Sequence, residues 1–169
     1  MGLEQVVTTT VTSAVSSVTL NGINDDSVYK LVISDFIPST DAQDMRIRVV
    51  QSGTPNTSAN YDLSARLIRC DTTAGNDGHE NATSLDTSTA IGSSTGECAN
   101  YIIYIYNAYS GSEYTFFSQE AVQQSHTGLT IGRQGGGLFN GQSSVTGLQM
   151  FAGSGDIANG RFTLFRVKS

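Results

Sequence analysis

The segment Met45-Arg46-Ile47-Arg48-Val49 decides the fold class, because apolar and charged side chains alternate along it without a break. Successive side chains of a β-strand point to opposite faces, so this pattern is typical of a strand with one buried and one solvated face. We interpret the two arginines as the solvated face of that strand. The segment therefore predicts a sheet that packs on a core from one side.

Short apolar segments of this kind recur along the chain, and Gly, Pro, Asn, Asp and Ser separate them. No stretch has a convincing helical period, and residues 118–124 are better interpreted as the end of a strand. We predict strands over residues 8–20, 28–33, 45–49, 61–70, 101–106, 114–122, 129–131, 145–151 and 162–167. The predicted fold is an all-β, antiparallel β-sandwich, jelly-roll-like, with nine or ten strands and no substantial helix.

The 169 residues fit one domain. Residues 1–13 contain too little apolar surface to pack alone, so they are predicted to be an N-terminal arm laid on a neighbouring molecule. Residues 14–169 are predicted to form the sandwich. Within them, residues 71–100 are a long polar excursion, which is either functional or contains short irregular strands.

Charge and composition exclude several classes of partner. The net charge of −6 argues against nucleic acid, because a phosphate-binding face needs clustered Lys and Arg. No run of about 18 apolar residues is present, so we expect no membrane span. No secretion signal is visible, and Cys70 and Cys98 are therefore expected to be reduced, with a disulfide between them as the alternative.

The chain is poor in groups that catalyse reactions near neutral pH. His79 and His126 both lie in polar segments, and no nucleophile elbow accompanies them. We predict that the protein is not an enzyme and has no catalytic residues. The alternative is a glycan depolymerase, in which two of Asp62, Asp71 and Glu120 would meet in a cleft.

No metal, cofactor or phosphate site is predicted. The segment 71–80 (DTTAGNDGHE) lacks the spacing of an EF-hand loop, although an irregular calcium site from Asp71, Asp77 and Glu80 is an alternative. The segment 132–137 (GRQGGG) lacks the lysine and the helix that follow a phosphate-binding loop. Its glycines instead predict a tight loop with positive φ values, or close backbone packing against a neighbouring subunit.

Tyrosine is concentrated in residues 101–114, at positions 101, 104, 106, 109 and 114. The strand 101–106 (YIIYIY) is apolar on both faces, so it is predicted to be central in a sheet and covered on both sides. Tyr is favoured in strands and at protein interfaces, and its ring also stacks on sugars. The candidate interface or glycan contacts are Tyr104, Tyr106 and Tyr109.

Several stretches together resemble a family of small structural proteins encoded by tailed bacteriophages, many of them from aquatic hosts. The stretches are residues 18–23 (VTLNGI), 29–33 (YKLVI), 60–62 (NYD), 97–102 (ECANYI), 112–114 (SEY) and 155–165 (GDIANGRFTLF). The resemblance spans about residues 12–167. It implies a β-sandwich without catalytic residues that is assembled in the bacterial cytoplasm and ends in the virion.

The resemblance and the residues lead to one expected function and one alternative. The expected function is that of a virion structural protein, as head decoration or cement or as a tail or fibre component. Its partners would be other virion proteins and itself, as a homo-oligomer for which analogy favours a trimer. The alternative is a carbohydrate-binding module that recognises a host surface glycan.

Overall fold

The computed structural model describes residues 2–168, which fold into thirteen β-strands without a helix. Met1 and Ser169, the first residue of the predicted arm and the last of the predicted domain, lie outside the described residues. The strands are β1 (Gly2–Val11), β2 (Val18–Asn21), β3 (Tyr29–Pro38), β4 (Met45–Gln51), β5 (Thr54–Pro55), β6 (Tyr61–Arg69), β7 (Ala74–Ala82), β8 (Leu85–Asp86), β9 (Ala99–Tyr106), β10 (Thr115–Gln124), β11 (Thr130–Phe139), β12 (Gly147–Ala152) and β13 (Ile157–Lys168).

The strands form two antiparallel sheets, which confirms the predicted β-sandwich. The large sheet has eight strands in the order β1-β13-β3-β9-β10-β11-β6-β7. The small sheet has the order β2-β12-β4-β5, and β8 pairs with β4 beside this path. The chain crosses between the sheets eight times, after β1, β2, β3, β5, β7, β8, β11 and β12. The strand count exceeds the predicted nine or ten for two reasons. The segment 8–20, predicted as one strand, is divided between β1 and β2 in different sheets, and the short strands β5 and β8 and the polar strand β7 have no apolar signal.

Strand β4 has the alternation that the sequence predicts. Met45, Ile47 and Val49 are at most 1% exposed, whereas Arg46 and Arg48 lie on the opposite, partly solvated face. Burying three such side chains is favourable by roughly 1.5–3 kcal/mol each. The Arg48 guanidinium stacks on the Phe151 ring at 4.4 Å.

The predicted arm does not extend to a neighbour but belongs to the chain's own large sheet. Residues 2–11 form β1, the edge strand that pairs antiparallel with β13. Thr8 donates a hydrogen bond from Oγ1 to Thr163 Oγ1 at 3.0 Å, and Val11 is buried. Strand β1 has few apolar side chains, so backbone hydrogen bonds hold it in the sheet, because every second residue hydrogen-bonds to β13. Strand β13 therefore lies between β1 and β3.

The polar excursion 71–100 contains the irregular strands that the sequence left open. Its first part forms β7, the other edge of the large sheet, and Leu85 of β8 is buried against the core. Beyond β8, the Thr87 amide donates to Met45 O at 2.9 Å, and the Met45 amide donates to Ser88 Oγ at 2.7 Å. The excursion thus completes the small-sheet layer.

The glycine triplet Gly135-Gly136-Gly137 lies inside β11, not in the predicted loop, and none of the three residues has a positive φ. The glycines are explained by the close approach of neighbouring atoms, which leaves no space for a side chain. A Cβ on Gly135 would come within 2.6 Å of Ala65 Cα, and one on Gly137 would come within 2.8 Å of Leu85 Cδ2. Both glycines therefore serve packing within this chain, against β6 and the layer below.

The core between the sheets is continuous and rich in aromatic residues. Phe36 and Phe162 pack edge to face, with ring centroids 6.4 Å apart, and Tyr61 packs on Phe139 at 5.1 Å. Tyr61 is fully buried, yet its hydroxyl accepts from the Val49 amide and donates to Asn56 O at 2.8 Å. Burial raises the pKa of Tyr61 to about 12, because the charged phenolate is disfavoured inside.

Candidate interaction surface

The large sheet has one face on the core and one face exposed to solvent, and its central strands expose apolar side chains. In β9 and β10 burial alternates, so Ile102, Tyr106, Phe116 and Val122 point outward and are 39%, 36%, 46% and 49% exposed. Phe116 lies directly opposite Tyr106 in the register. Side chains directly opposite each other on one face are close neighbours, so the two rings lie side by side on the outer surface.

The neighbouring strands extend this surface. Val32 of β3 lies opposite Ile102, and Leu138 of β11 lies opposite Phe116. We define the apolar patch as the outward side chains of four adjacent strands, namely Val32, Ile102, Tyr104, Tyr106, Phe116, Val122 and Leu138. Strand β9 is central, as predicted. However, within residues 2–168 it is covered on its inner face only, since the excursion 71–100 leaves the outward side chains of β9 and β10 exposed and only borders the depression beside Phe116.

The outer face of the small sheet has a different character. Arg46 pairs there with Asp86, with Nε 3.2 Å from Oδ1, and Arg48 donates to Thr83 O. Gln149 Nε2 donates to Ser17 Oγ on the same side of the sandwich. These polar side chains already have ion-pair or hydrogen-bond partners within the chain. The two faces of the sandwich therefore differ, and the large sheet has the one with unmatched apolar area.

Three shallow depressions lie on the outer face of the large sheet. One of about 460 Å³ is lined by Val32, Ile102 and Val122, and one of about 320 Å³ lies between Tyr104 and Tyr106 on one side and Glu120 on the other. A third, of about 420 Å³, is lined by Phe116 and the glycine triplet's backbone, among others. The absent side chains of the outward Gly132 and Gly136 leave space beside the larger residues.

Two of the three predicted contact residues lie together on the patch. The Lys30 ammonium lies 5.5 Å from the centre of the Tyr104 ring, a favourable cation–π arrangement, and Tyr106 Oη lies 3.2 Å from Ser118 Oγ. Tyr109, 40% exposed, lies in the β9–β10 connection and not on the sheet. Its carbonyl accepts a 2.7 Å hydrogen bond from Ser144 Oγ.

The tyrosine cluster is divided by strand parity. Tyr101 points inward and is 2% exposed, and burial raises its pKa well above the ordinary value. Tyr114, just before β10, is 41% exposed. The cluster is therefore not one aromatic platform, because only Tyr104 and Tyr106 share the outer face of the sheet.

Two opposite charges lie on either side of β9 at the patch. Lys30 of β3 is opposite Tyr104 in the register, and Glu120 of β10 is opposite Ile102. Glu120 Oε1 accepts a hydrogen bond from Gln134 Nε2 at 3.2 Å. The line joining the two charges crosses β9 between Tyr104 and Ile102, at the centre of the patch.

The residues of the enzymatic alternative lie on separate elements. Asp62 of β6 accepts from the Asn81 amide, Asp71 accepts from Thr73 in the β6–β7 turn, and Glu120 lies on β10. The hydrogen bond from the Thr73 hydroxyl lowers the pKa of Asp71. Asp62 lies two strands away from Glu120 and in register with Phe116, four residues from Glu120 along β10, so the two carboxylates are roughly 16 Å apart.

The two histidines lie on different elements, although His79 lines the same depression as Asp62. His79 lies in β7, and His126 lies in the β10–β11 turn with Nδ1 3.4 Å from Ala90 O. A histidine paired with a nucleophile would need a serine or cysteine within hydrogen-bond reach. Among the described residues, neither histidine has a hydrogen bond to a serine or cysteine side chain.

The alternative calcium ligands diverge as well. Asp77 points inward and lies 2.8 Å from Arg133 Nη1, whereas Asp71 caps its own turn. Among residues 2–168, no group of three or more His, Cys, Asp and Glu side chains is placed to hold a metal ion. Cys70 and Cys98 are free thiols, without the alternative disulfide. The described chain also has no helix of the length and apolarity needed to cross a membrane.

Sequence reasoning missed two kinds of residue. Phe116 and Val122, the most exposed members of the patch, carry the same alternation signal as β9 and can be recognised once the β9–β10 hairpin is drawn. Arg133 gave no signal, since its side chain is completely buried although it lies between glycines and polar residues. The burial of Arg133 can be recognised only from the folded structure, which places Asp77 beside its guanidinium.

The molecule is thus an antiparallel β-sandwich with one matched polar face and one exposed apolar face. No protein-family model matches the chain, and no curated protein matches it.

Proposed function

We propose that the protein is a non-enzymatic structural component of a tailed-bacteriophage particle, as head decoration or as part of the tail or fibre. It acts through protein–protein assembly. The observation that carries this proposal is the apolar patch on the outer face of the large sheet. Exposed contiguous apolar surface of this kind is typical of an interaction site. The family resemblance supports the virion as the place of assembly.

The positions of the candidate acids and bases favour an assembly role over a catalytic one. Candidate acids and bases lie on separate strands, and Asp62 and Asp71 are each engaged by backbone amides. Tyr and Phe with aliphatic neighbours are the side chains enriched at the centre of protein interfaces. The patch has Tyr104, Tyr106 and Phe116 at such a centre.

The test is the composition of purified particles. Mass spectrometry of particles from cells that produce this chain should detect it at a fixed ratio to the major capsid or tail protein. An Ile102→Asp variant should fold and yet be lost from the particles. A Thr19→Asp variant, which adds the same charge at an exposed strand position of the small sheet, should be retained. Particles without the wild-type chain, with abundant chain in the lysate, would refute the proposal.

A second candidate function, glycan binding, is favoured by the depression beside Phe116. Its floor includes Gly136 and Gly137, and Asp62 and Glu80 lie at its rim. A sugar ring stacks on an aromatic side chain, its hydroxyls donate to carboxylates, and glycines allow a ring to approach the backbone. On a glycan array the wild-type protein would bind saturably. Phe116→Ala would lose that binding, whereas Tyr109→Ala, in the β9–β10 connection, would keep it. A blank array with folded protein would refute this second function.

A further inference from the structure

We propose that the apolar patch binds the same patch of a second copy of this chain, so that two large sheets pack face to face about a twofold axis. This inference rests on the proposed assembly function and names the first partner of that surface. Three independent features carry it, namely the area of the face, the placement of its charges and the shape of the sheet edges.

The area is sufficient for a stable pair. Eight strands spaced about 4.8 Å apart, with about ten residues each at about 3.3 Å per residue, give a footprint of roughly 1,100 Å². A standard stable interface buries about 800 Å² on each partner. The apolar patch occupies the middle of this footprint, on β3, β9, β10 and β11. The interface would then have the apolar centre and polar rim that specific interfaces have.

The charges at the patch are complementary to themselves. Lys30 and Glu120 lie on opposite sides of β9, and the midpoint between them falls on β9 between Tyr104 and Ile102. A twofold axis that lies in the plane of the interface, passes through that midpoint and is perpendicular to the line joining the two charges exchanges the two positions. Lys30 of each copy then faces Glu120 of the other, and this pair occurs twice.

The edges of the large sheet are poorly suited to pairing with another copy. Edge strand β1 has a bulge between Gln5 and Val7, and edge strand β7 has one opposite Tyr61 and Leu63, where Asn81 adopts a φ of 53°. Bulges twist an edge out of register and block strand addition. Association through the face is therefore favoured over a continuous intermolecular sheet.

The single apolar face also favours a twofold dimer over a three-fold ring. A face-to-face contact about a twofold axis pairs one patch with one patch, so self-association closes at two copies. A three-fold ring, which analogy favoured at the sequence level, needs two different contact surfaces on each copy. The matched small-sheet face does not offer the second. The structure therefore points to a dimer as the free state.

Sedimentation velocity of the purified protein tests the proposal. At micromolar concentration the wild type should sediment as a species of about 36 kDa, twice the 17.9 kDa of one chain. Ile102→Asp should be monomeric, and Thr19→Asp should remain dimeric. Far-UV circular dichroism and thermal melts confirm that each variant is folded.

Charge reversal provides the sharper test. Lys30→Glu and Glu120→Lys should each raise the dimer dissociation constant roughly tenfold, because each places two like-charge pairs in one interface. The double variant should return it to near the wild-type value. Asp26→Lys, an exposed reversal in the β2–β3 connection, should have no effect and is the matched control.

The outcomes separate this inference from the proposed function. A wild-type monomer at 100 µM, a trimer, or a double variant that fails to restore association would each overturn the face-to-face dimer. If such a chain is still found in particles, the proposed function survives without this partner. If the dimer forms and the chain is absent from particles, the inference stands and the virion role fails.

Discussion

The buried ion pair between Arg133 and Asp77 is expected to contribute strongly to stability, and Asp77→Asn measures that contribution. The Arg133 side chain is completely buried, with Nη1 2.8 Å from Asp77 Oδ2 and Nη2 donating to Asp86 O at 2.9 Å. Removing one partner from a buried pair costs roughly 3–5 kcal/mol, since the other charge stays buried and uncompensated. Asp77 is 35% exposed, so water partly compensates and we expect about 2–3 kcal/mol. Urea unfolding at pH 7 should report this loss, together with a melting temperature about 6 °C lower.

A double-mutant cycle separates the charge from the packing. Arg133→Met keeps much of the side-chain volume and removes the cation, so a carboxylate at position 77 is no longer required. In that background Asp77→Asn should cost less than about 0.5 kcal/mol, which gives a coupling energy of about 2 kcal/mol. Wild-type stability in Asp77→Asn, or equal costs of that substitution in both backgrounds, would refute the reasoning.

Two further predictions follow from tyrosine burial and from the glycine triplet. The free energy of unfolding should fall as pH rises from about 10 to 12, because the unfolded chain ionises Tyr61 first while the folded chain keeps it protonated up to its pKa of about 12. Denaturant titrations should find this loss, at most about 3 kcal/mol from Tyr61 alone, and Tyr61→Phe should remove it. That variant starts from a lower stability because the Val49 amide loses its acceptor. Gly135→Ala should destabilise by roughly 1–3 kcal/mol, since its Cβ would meet β6 backbone, whereas Gly132→Ala in the same strand has only an ordinary 3.8 Å contact and should be tolerated. Equal melting temperatures for the two alanine variants would contradict this packing argument.

Most of the sandwich could be predicted from the sequence, because most strands have one buried face and so a visible alternation. Met45 to Val49 in β4 is the clearest case, and the β9–β10 hairpin follows the same rule. The alternation of apolar and polar residues is missing where a strand is held only by backbone pairing with its neighbour. Strand β7 (Ala74–Ala82) has almost no apolar residues, and β1 depends on hydrogen bonds to residues more than 150 positions away. Local patterns contain no information about such distant partners.

The candidate surface was predictable in part for the same reason. Strand parity separates the inward Tyr101 from the outward Tyr104 and Tyr106, but it cannot tell whether another element covers the outer face. That depends on where residues 71–100 go, which long-range packing decides. The glycine triplet illustrates the opposite error, because glycine suits both tight turns and close strand packing, and only the position of β6 distinguishes the two.

The position of β13 between β1 and β3 has a consequence for how the protein is made. During synthesis β1 precedes its strand partner in the described part of the chain, residues 160–168, by about 150 residues. Until residues 157–168 have been synthesised, β1 has no place in the sheet and β3 has an open edge toward it. Completion of the large sheet must then wait for β13 and be slow, as expected for pairing of distant segments. The half-made chain is the stage at which a chaperone would be needed most, and the rate at which β13 docks would set the supply of assembly-competent subunits.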